Sequence, residues 1–152
     1  VRQLQPWYEN ISKRQVRSPK VYLNDSGLLH TLLNLRTLRD VEGHPKLGAS
    51  WEGFVIDQIT RILSVEQEEC FFWATHSGAE LDLRIVRGKI RIGFEIKRTS
   101  SPRITPSMRH AIEDLKLRRL DVVHAGDETF PMTENIRAVA LKNLLFDIPK
   151  LR

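Results

Sequence analysis

The sequence has a single cysteine, Cys70, among its 152 residues. One thiol excludes an internal disulfide and a zinc site built from several cysteines. Cys70 lies in the apolar run Cys70-Phe71-Phe72-Trp73, which favours a buried core thiol over a nucleophile. This cysteine usage is typical of a cytoplasmic protein.

Long apolar runs are also missing. No stretch approaches the ~20 apolar residues that a membrane-spanning helix needs, so we expect no membrane partner. The first ten residues, VRQLQPWYEN, lack the apolar segment of a secretory signal peptide. The chain begins with Val1 and not with methionine, from which we expect a fragment of a longer protein with an upstream domain. No Gly-x-x-x-x-Gly-Lys-Ser/Thr pattern occurs, so we expect no ATP binding by this segment alone.

Acidic residues are fewer than basic ones, at 19 against 24, which gives a net charge of +5. The excess is concentrated between residues 80 and 119, where eleven Lys or Arg face five Asp or Glu. A locally basic stretch indicates an anionic partner such as DNA, and a solvated basic surface is the alternative.

The hydrophobic pattern predicts an α/β fold in one domain. Apolar residues recur with helical spacing over residues 49–64, where Ser50 is a candidate N-cap, and a second helix follows a cap at Thr105. The predicted order is a helix (49–64), three strands (70–75, 80–86 and 90–97), a helix (105–117) and a strand (120–124). This αβββαβ order implies a mixed β-sheet flanked by helices. An apolar run at 136–146 has no assignment.

Residues 1–45 have a different pattern from the rest and are predicted to be a connector packing on a main domain at 46–152. Val21 to Leu23 has the character of a short strand. Asp25 or Ser26 is a candidate cap for a short helix over residues 27–33.

The second and third strands form a predicted hairpin around a two-residue turn at Arg87-Gly88. In that register Asp82 lies opposite Gly93, and Glu95 lies diagonal to Asp82 at about 7–8 Å between Cα atoms. Glu95 and Lys97 are two residues apart and therefore share a face. Strict alternation further places Leu81, Leu83 and Ile85 together on the core face.

Two carboxylates and a lysine thus converge beside a gap that Gly93 leaves open. Mg²⁺ takes one or two carboxylates plus waters and substrate phosphate, so Asp82 and Glu95 form a candidate site for Mg²⁺ or Mn²⁺. Lys97 is placed to orient an attacking water. The structural alternative is an ordinary surface ion pair between Lys97 and a carboxylate.

The segments Gly78-Ala79-Glu80-Leu81-Asp82-Leu83 and Phe94-Glu95-Ile96-Lys97 together resemble the PD-(D/E)XK nuclease superfamily. The resemblance implies a restriction-endonuclease-like core in which Asp82 and Glu95 bind the metal and Lys97 assists the attack. It also implies a contribution from an acidic residue of the first helix, Glu52, and from the backbone carbonyl of Ile96 as a further ligand. The proline of the motif's name is replaced by Leu81.

A resemblance over nearly the whole chain rests on three segments: Ser18-Pro19-Lys20-Val21-Tyr22, the run at 25–30 (DSGLLH) and the run at 48–55 (GASWEGFV). These look like the C-terminal domain, called domain of unknown function 4143, of bacterial and archaeal AAA-type ATPases. That resemblance implies an ATPase and a winged-helix region upstream of residue 1, with the ATPase as a partner.

Three arginines, Arg84, Arg91 and Arg98, are candidates for contacts to DNA phosphates. His76 precedes the site strand and is either an ordinary loop histidine or a substrate contact. Trp51 and Trp73 are predicted to be core residues.

Three functions remain open from the sequence. The first is metal-dependent hydrolysis of DNA phosphodiesters. The second is a module that binds DNA or a protein without cleaving, and the third is an oligomerisation domain of the ATPase.

Overall fold

The computed structural model describes residues 1–151, whose eight strands form one mixed sheet with helices on both faces. The strands are β1 (Arg2–Pro6), β2 (Lys20–Tyr22), β3 (Cys70–Ala74), β4 (Glu80–Arg87), β5 (Ile90–Lys97), β6 (Arg119–His124), β7 (Phe130–Pro131) and β8 (Ile136–Ala140). The α-helices are α1 (Ser26–Leu32), α2 (Leu38–Glu42), α3 (Leu47–Leu63), α4 (Pro106–Leu115) and α5 (Leu144–Asp147). Two 3₁₀ turns lie at Gln67–Glu69 and Leu141–Asn143.

The predicted αβββαβ order is present as α3-β3-β4-β5-α4-β6. Strands β3, β4 and β5 pair antiparallel, whereas β5 and β6 pair parallel because α4 crosses over between them. The whole sheet has the order β2-β1-β3-β4-β5-β6-β8-β7. The prediction of a mixed sheet flanked by helices is therefore confirmed.

Each face of the sheet carries its own hydrophobic core. One core packs α3 and α5 on the sheet through residues that include Val55, Ile59, Phe72, Phe94 and Leu144. The other packs α4 through residues that include Trp73, Met108, Ala111, Leu115 and Val122. With both faces covered, the central strands are buried, and polar side chains on them need partners.

Strand β4 does not alternate as predicted. Phe71 pairs with Arg84 and Trp73 pairs with Leu81, so two residues of β4, Asp82 and Leu83, lie opposite Phe72 alone. Such a bulge interrupts the period of two. Leu81 consequently packs in the α4 core, while Leu83 and Ile85 pack in the α3 core, so the prediction that these three leucine and isoleucine residues share a face is wrong.

The β4–β5 turn is also displaced from its predicted place. Arg87 pairs with Ile90, so the turn residues are Gly88 and Lys89, and Gly88 has φ +58°, a conformation that favours glycine. The register therefore shifts by two residues and places Gly93 opposite Arg84 and not opposite Asp82. A Cβ on Gly93 would lie 2.7 Å from Leu117 Cδ1, so this glycine serves close packing and leaves no gap at the site.

Residues 1–45 extend the same sheet. Strand β1 lies between β2 and β3, and its Leu4 is fully buried in the α3 core. The predicted cap at Asp25 is confirmed, because its carboxylate accepts the Leu28 N–H at 2.9 Å.

The predicted cap at Ser50 is wrong. Helix α3 already begins at Leu47, and Ser50 Oγ lies 2.8 Å from His30 Nε2. The unassigned run at 136–146 divides into β8, a 3₁₀ turn and the start of α5. Across residues 1–151, every helix is too short or too polar to cross a bilayer.

Candidate active site

The bulge of β4 lies at Asp82, whose carboxylate contacts the backbone of β5. Asp82 is 6% exposed, and its Oδ2 accepts the Ile96 N–H at 2.8 Å. Burial raises the pKa of Asp82 well above its ordinary value, and the negative charges of Glu95 and Glu52 raise it further. The Asp82 carboxylate thus accepts a backbone N–H that a carbonyl of the neighbouring strand would accept in a regular sheet. It does so among the negative charges of Glu95 and Glu52.

Glu95, on the neighbouring strand, is the second buried carboxylate. It is 3% exposed; its Oε1 accepts from Lys97 Nζ at 2.9 Å, and its Oε2 is buried without a hydrogen-bond partner among residues 1–151. Burial raises the pKa of Glu95, although Lys97 opposes the shift. An unpartnered buried carboxylate oxygen is costly, and this atom keeps its capacity to accept a further contact.

Lys97 lies at the mouth of the site with a side chain that is 44% exposed. Burial opposes its charge, but Glu95, Asp82 and Glu80 hold the pKa of Lys97 above its ordinary value. The ammonium is therefore charged and in contact both with Glu95 and with solvent. The shared face predicted for Glu95 and Lys97 agrees with their contact.

A second group of polar side chains joins the site from the N-terminal strands. Lys20 Nζ donates to Glu80 Oε1 at 2.7 Å and to Glu52 Oε1 at 3.3 Å, and Tyr22 donates a short hydrogen bond to Glu52. Burial opposes the charge on Lys20, but Glu52, Glu80 and Asp82 raise its pKa. Burial and the bond to Glu52 raise the pKa of Tyr22, which keeps the phenol protonated as a donor.

The structure brings the predicted residues Asp82, Glu95 and Lys97 into one cluster. Glu52 lies beside it, close enough for its charge to raise the pKa of Asp82, but its contacts are to Lys20 and Tyr22. Sequence reasoning gave no role at the site to three residues, Lys20, Tyr22 and Glu80. The short strand predicted at Val21 to Leu23 was the signal for Lys20 and Tyr22, but the sequence alone did not predict its pairing with β1.

Of the three arginines predicted to contact phosphates, Arg84 needs correction. It is fully buried, its guanidinium stacks 4.0 Å from the Trp7 ring centroid, and it donates to the Leu115 carbonyl at 3.2 Å. A side chain without exposed surface cannot reach DNA. Arg91 lies 3.3 Å from Glu9, and Arg98 lies 3.7 Å from Glu42, so both are at the surface with acidic neighbours.

Other sequence expectations concern the core. Cys70 is buried as predicted, and burial raises the pKa of its thiol to about 11. Trp73 is fully buried and donates to Gln15 at 3.0 Å, while Trp51 packs partly buried against the α3 core. His76 lies exposed in the loop before β4.

The donor set at the site fits a divalent cation in part. Asp82 and Glu95 supply buried carboxylates of raised pKa, and Glu95 Oε2 is unpartnered. The Ile96 carbonyl points toward β4 with its N–H, because both groups of a strand residue face the same neighbour. Within residues 1–151, no three His, Cys, Asp or Glu side chains are already arranged to hold a metal. Mg²⁺ needs only one or two carboxylates, so two suffice.

Comparison with known families gives two matches. The model of the family described as domain of unknown function (DUF4143) matches residues 47–144, as the sequence resemblance predicted. A second model, domain of unknown function (DUF8612), matches residues 1–39.

Two curated relatives are the uncharacterized proteins Mb2031c of Mycobacterium bovis and Rv2008c of Mycobacterium tuberculosis. Each is 48% identical over 145 residues, which cover 95% of this chain but 32% of the relative. The chain therefore spans about a third of the length of these relatives. No solved structure matches.

Proposed function

The chain belongs to the family described as domain of unknown function 4143, and from that premise we propose that it is a metal-dependent nuclease-like domain that hydrolyses DNA phosphodiesters. In this proposal its α3-β3-β4-β5-α4-β6 unit is a restriction-endonuclease-like core of the PD-(D/E)XK type. The domain is further proposed to act as the C-terminal module of an AAA-type ATPase in the cytoplasm.

The observation that carries the proposal is the pairing of two buried carboxylates with one unsatisfied oxygen. Asp82 and Glu95 lie on adjacent strands, the negative charge of Glu95 raises the pKa of Asp82, and Glu95 Oε2 has no partner in residues 1–151. A structural role would favour neutral or fully paired side chains at these positions. A divalent cation would relieve both the repulsion and the missing contact.

The residues that would hold Mg²⁺ or Mn²⁺ are Asp82, Glu95 and the carbonyl of Ile96. When bound, the cation would supply charge neutralisation on the phosphate and a more acidic water. Lys97 reaches solvent while it contacts Glu95, so its ammonium is placed to orient the attacking water and to stabilise negative charge on the phosphate. Glu52 keeps Lys20 and Tyr22 in place next to Asp82 and acts as a positioning residue.

Cleavage of plasmid and oligonucleotide DNA with Mg²⁺, Mn²⁺ or Ca²⁺ tests the proposal. Asp82→Asn and Lys97→Met are expected to lower the rate about 100-fold or more, since each removes a group that acts on the reacting phosphate. Lys142→Met is the matched control, because Lys142 pairs with Asp127 at an exposed position. Ca²⁺ is expected to support binding without efficient cleavage. Cleavage that survives both site substitutions would contradict the proposal.

A second candidate, a module that binds DNA or protein without cleaving it, has one observation in its favour. Lys20 bridges Glu52 and Glu80, and the Ile96 N–H satisfies Asp82, so most of the acidic groups have partners without a cation. Retained DNA binding with no cleavage in Mg²⁺ or Mn²⁺, also when the domain is joined to the remainder of its protein, would favour this function.

A further inference from the structure

The loop between β1 and β2 forms a basic groove at the same end of the sheet as Asp82 and Glu95. The groove has a volume of about 630 Å³, and the side chains that line it include Tyr8, Lys13, Arg14, Arg17 and His76. None of its lining residues is acidic. A concave surface with several cations and an aromatic ring matches the chemistry of a nucleic-acid strand.

The cations of this groove are available to a ligand. Arg14 and Arg17 are exposed and lie within 4 Å of no carboxylate among residues 1–151. Arg17 stacks over the ring of Tyr8 at 5.7 Å, and Tyr8 as a whole residue is 46% exposed. Lys13 is already paired with Asp114 at 2.6 Å, so the free positive charge belongs to the two arginines.

This availability distinguishes the groove from the arginines that the sequence suggested. Arg84 is buried, and Arg91 and Arg98 each have an acidic neighbour. The basic excess between residues 80 and 119 is therefore partly neutralised within the fold. The loop at residues 13–17 supplies two exposed cations, Arg14 and Arg17, that have no such acidic neighbour among residues 1–151.

Backbone pairing fixes the groove next to the candidate active site. Val16 N–H donates to the Ala74 carbonyl at 2.8 Å, and Ala74 pairs with Glu80 at the start of β4. Three residues after Arg17, Lys20 contacts Glu80 and Glu52. Three residues span at most about 10 Å, which is about three nucleotides of a B-form strand.

We propose that this groove binds the DNA strand that leads to the acidic site, with phosphates on Arg14 and Arg17 and a base on the face of Tyr8. The inference rests on the proposed nuclease function, because it assigns the path of that function's substrate. It does not depend on turnover, since binding is measured without a metal that supports cleavage.

The test is fluorescence anisotropy of labelled single-stranded and duplex oligonucleotides in Ca²⁺ across a range of salt. The double variant Arg14→Ala/Arg17→Ala is expected to bind duplex DNA more weakly, with the log–log salt slope reduced by about 0.9 per lost phosphate contact. Tyr8→Ala is expected to weaken single-strand binding about fivefold or more with little change in salt slope.

Lys89→Ala/Arg118→Ala is the matched control, because it removes the same charge from exposed positions at the turn end of the sheet. It is expected to change affinity and slope much less than the groove variant does. Equal losses in both double variants, or an unchanged slope in the groove variant, would overturn the proposal. If the groove variant loses binding while wild type shows no cleavage in Mg²⁺ or Mn²⁺, the groove assignment stands and the nuclease function fails.

Discussion

The sheet buries carboxylates in two places, at Asp121 on β6 and at Asp82 and Glu95 on β4 and β5. The two places differ in whether every carboxylate oxygen has a hydrogen-bond partner. Asp121 on β6 has no exposed surface, and both of its oxygens accept from guanidinium groups: Oδ1 from Arg137 at 2.7 Å, and Oδ2 from Arg119 and Arg137 at 3.1 Å each. Asp82 and Glu95 instead lie close to each other and to further acids, and Glu95 Oε2 has no partner in the part of the chain described.

In the proposed function, this difference separates a carboxylate that stabilises the fold from carboxylates that bind a cation. A carboxylate that closes a bonded network holds β6 and β8 in register and stabilises the fold. A carboxylate among like charges is tolerated at a cost, which a bound cation removes. The following substitutions test this contrast.

The largest effect is expected for Asp121→Asn. The substitution leaves Arg119 and Arg137 without their charged partner inside the sheet, and we expect a loss of about 3 kcal/mol in the free energy of unfolding. Urea denaturation measures it. A loss below about 1 kcal/mol would show that the Asp121 ion pairs contribute no more than exposed ion pairs do, and it would remove the contrast with Asp82 and Glu95.

The second-largest effect is expected for Lys20, whose ammonium group partly neutralises the acidic site. Lys20→Met removes the ammonium between Glu52 and Glu80, which is expected to lower the free energy of unfolding by about 1 kcal/mol without metal. Mn²⁺ is expected to restore more stability in this variant than in wild type. Lys142→Met, which breaks an exposed pair with Asp127, serves as control and should show neither change.

Asp82→Asn is expected to have a smaller effect of opposite sign to Asp121→Asn. The asparagine oxygen still accepts the Ile96 N–H, while the negative charge next to Glu95 and Glu52 is removed. The metal-free variant should therefore be as stable as wild type or up to about 1 kcal/mol more stable. A loss as large as that of Asp121→Asn in urea denaturation would show that Asp82 is structural.

The smallest effect is expected at the turn end of the hairpin, for Glu69→Gln. Arg87 holds the pKa of Glu69 at about 2 through two hydrogen bonds, below the ~4.3 of an unfolded chain. This pair therefore stabilises the fold at pH values above the pKa of the unfolded carboxyl, and the stabilisation is lost as pH falls through about 2. Thermal melts should separate variant from wild type at pH 7 and converge near pH 2.

Local patterns in the sequence predicted the central elements. Alternation located β5 with its observed bounds, and proline after Thr105 located the start of α4, because each signal depends on neighbouring residues alone. The site residues Asp82, Glu95 and Lys97 came from the same alternation and from the family resemblance.

Features that depend on contacts between distant segments could not be predicted. The turn at Gly88 and Lys89 places Gly88 at a positive φ. A turn with Gly88 as either its first or its second residue was compatible with the sequence. The bulge at Asp82 depends on the register in which β3 pairs with β4 on either side of it, and this register is a contact between distant segments. Lys20 reaches the site because β2 pairs with β1, a strand that was not predicted.

The central claim is that Asp82 and Glu95 hold a divalent cation, and calorimetric titration of Mn²⁺ tests it most directly. Wild type is expected to bind with one-site stoichiometry, Asp82→Asn and Glu95→Gln are expected to bind at least about tenfold more weakly, and Asp121→Asn is expected to keep wild-type affinity. Equal Mn²⁺ binding by wild type, Asp82→Asn and Glu95→Gln, or no binding by wild type, would contradict the claim.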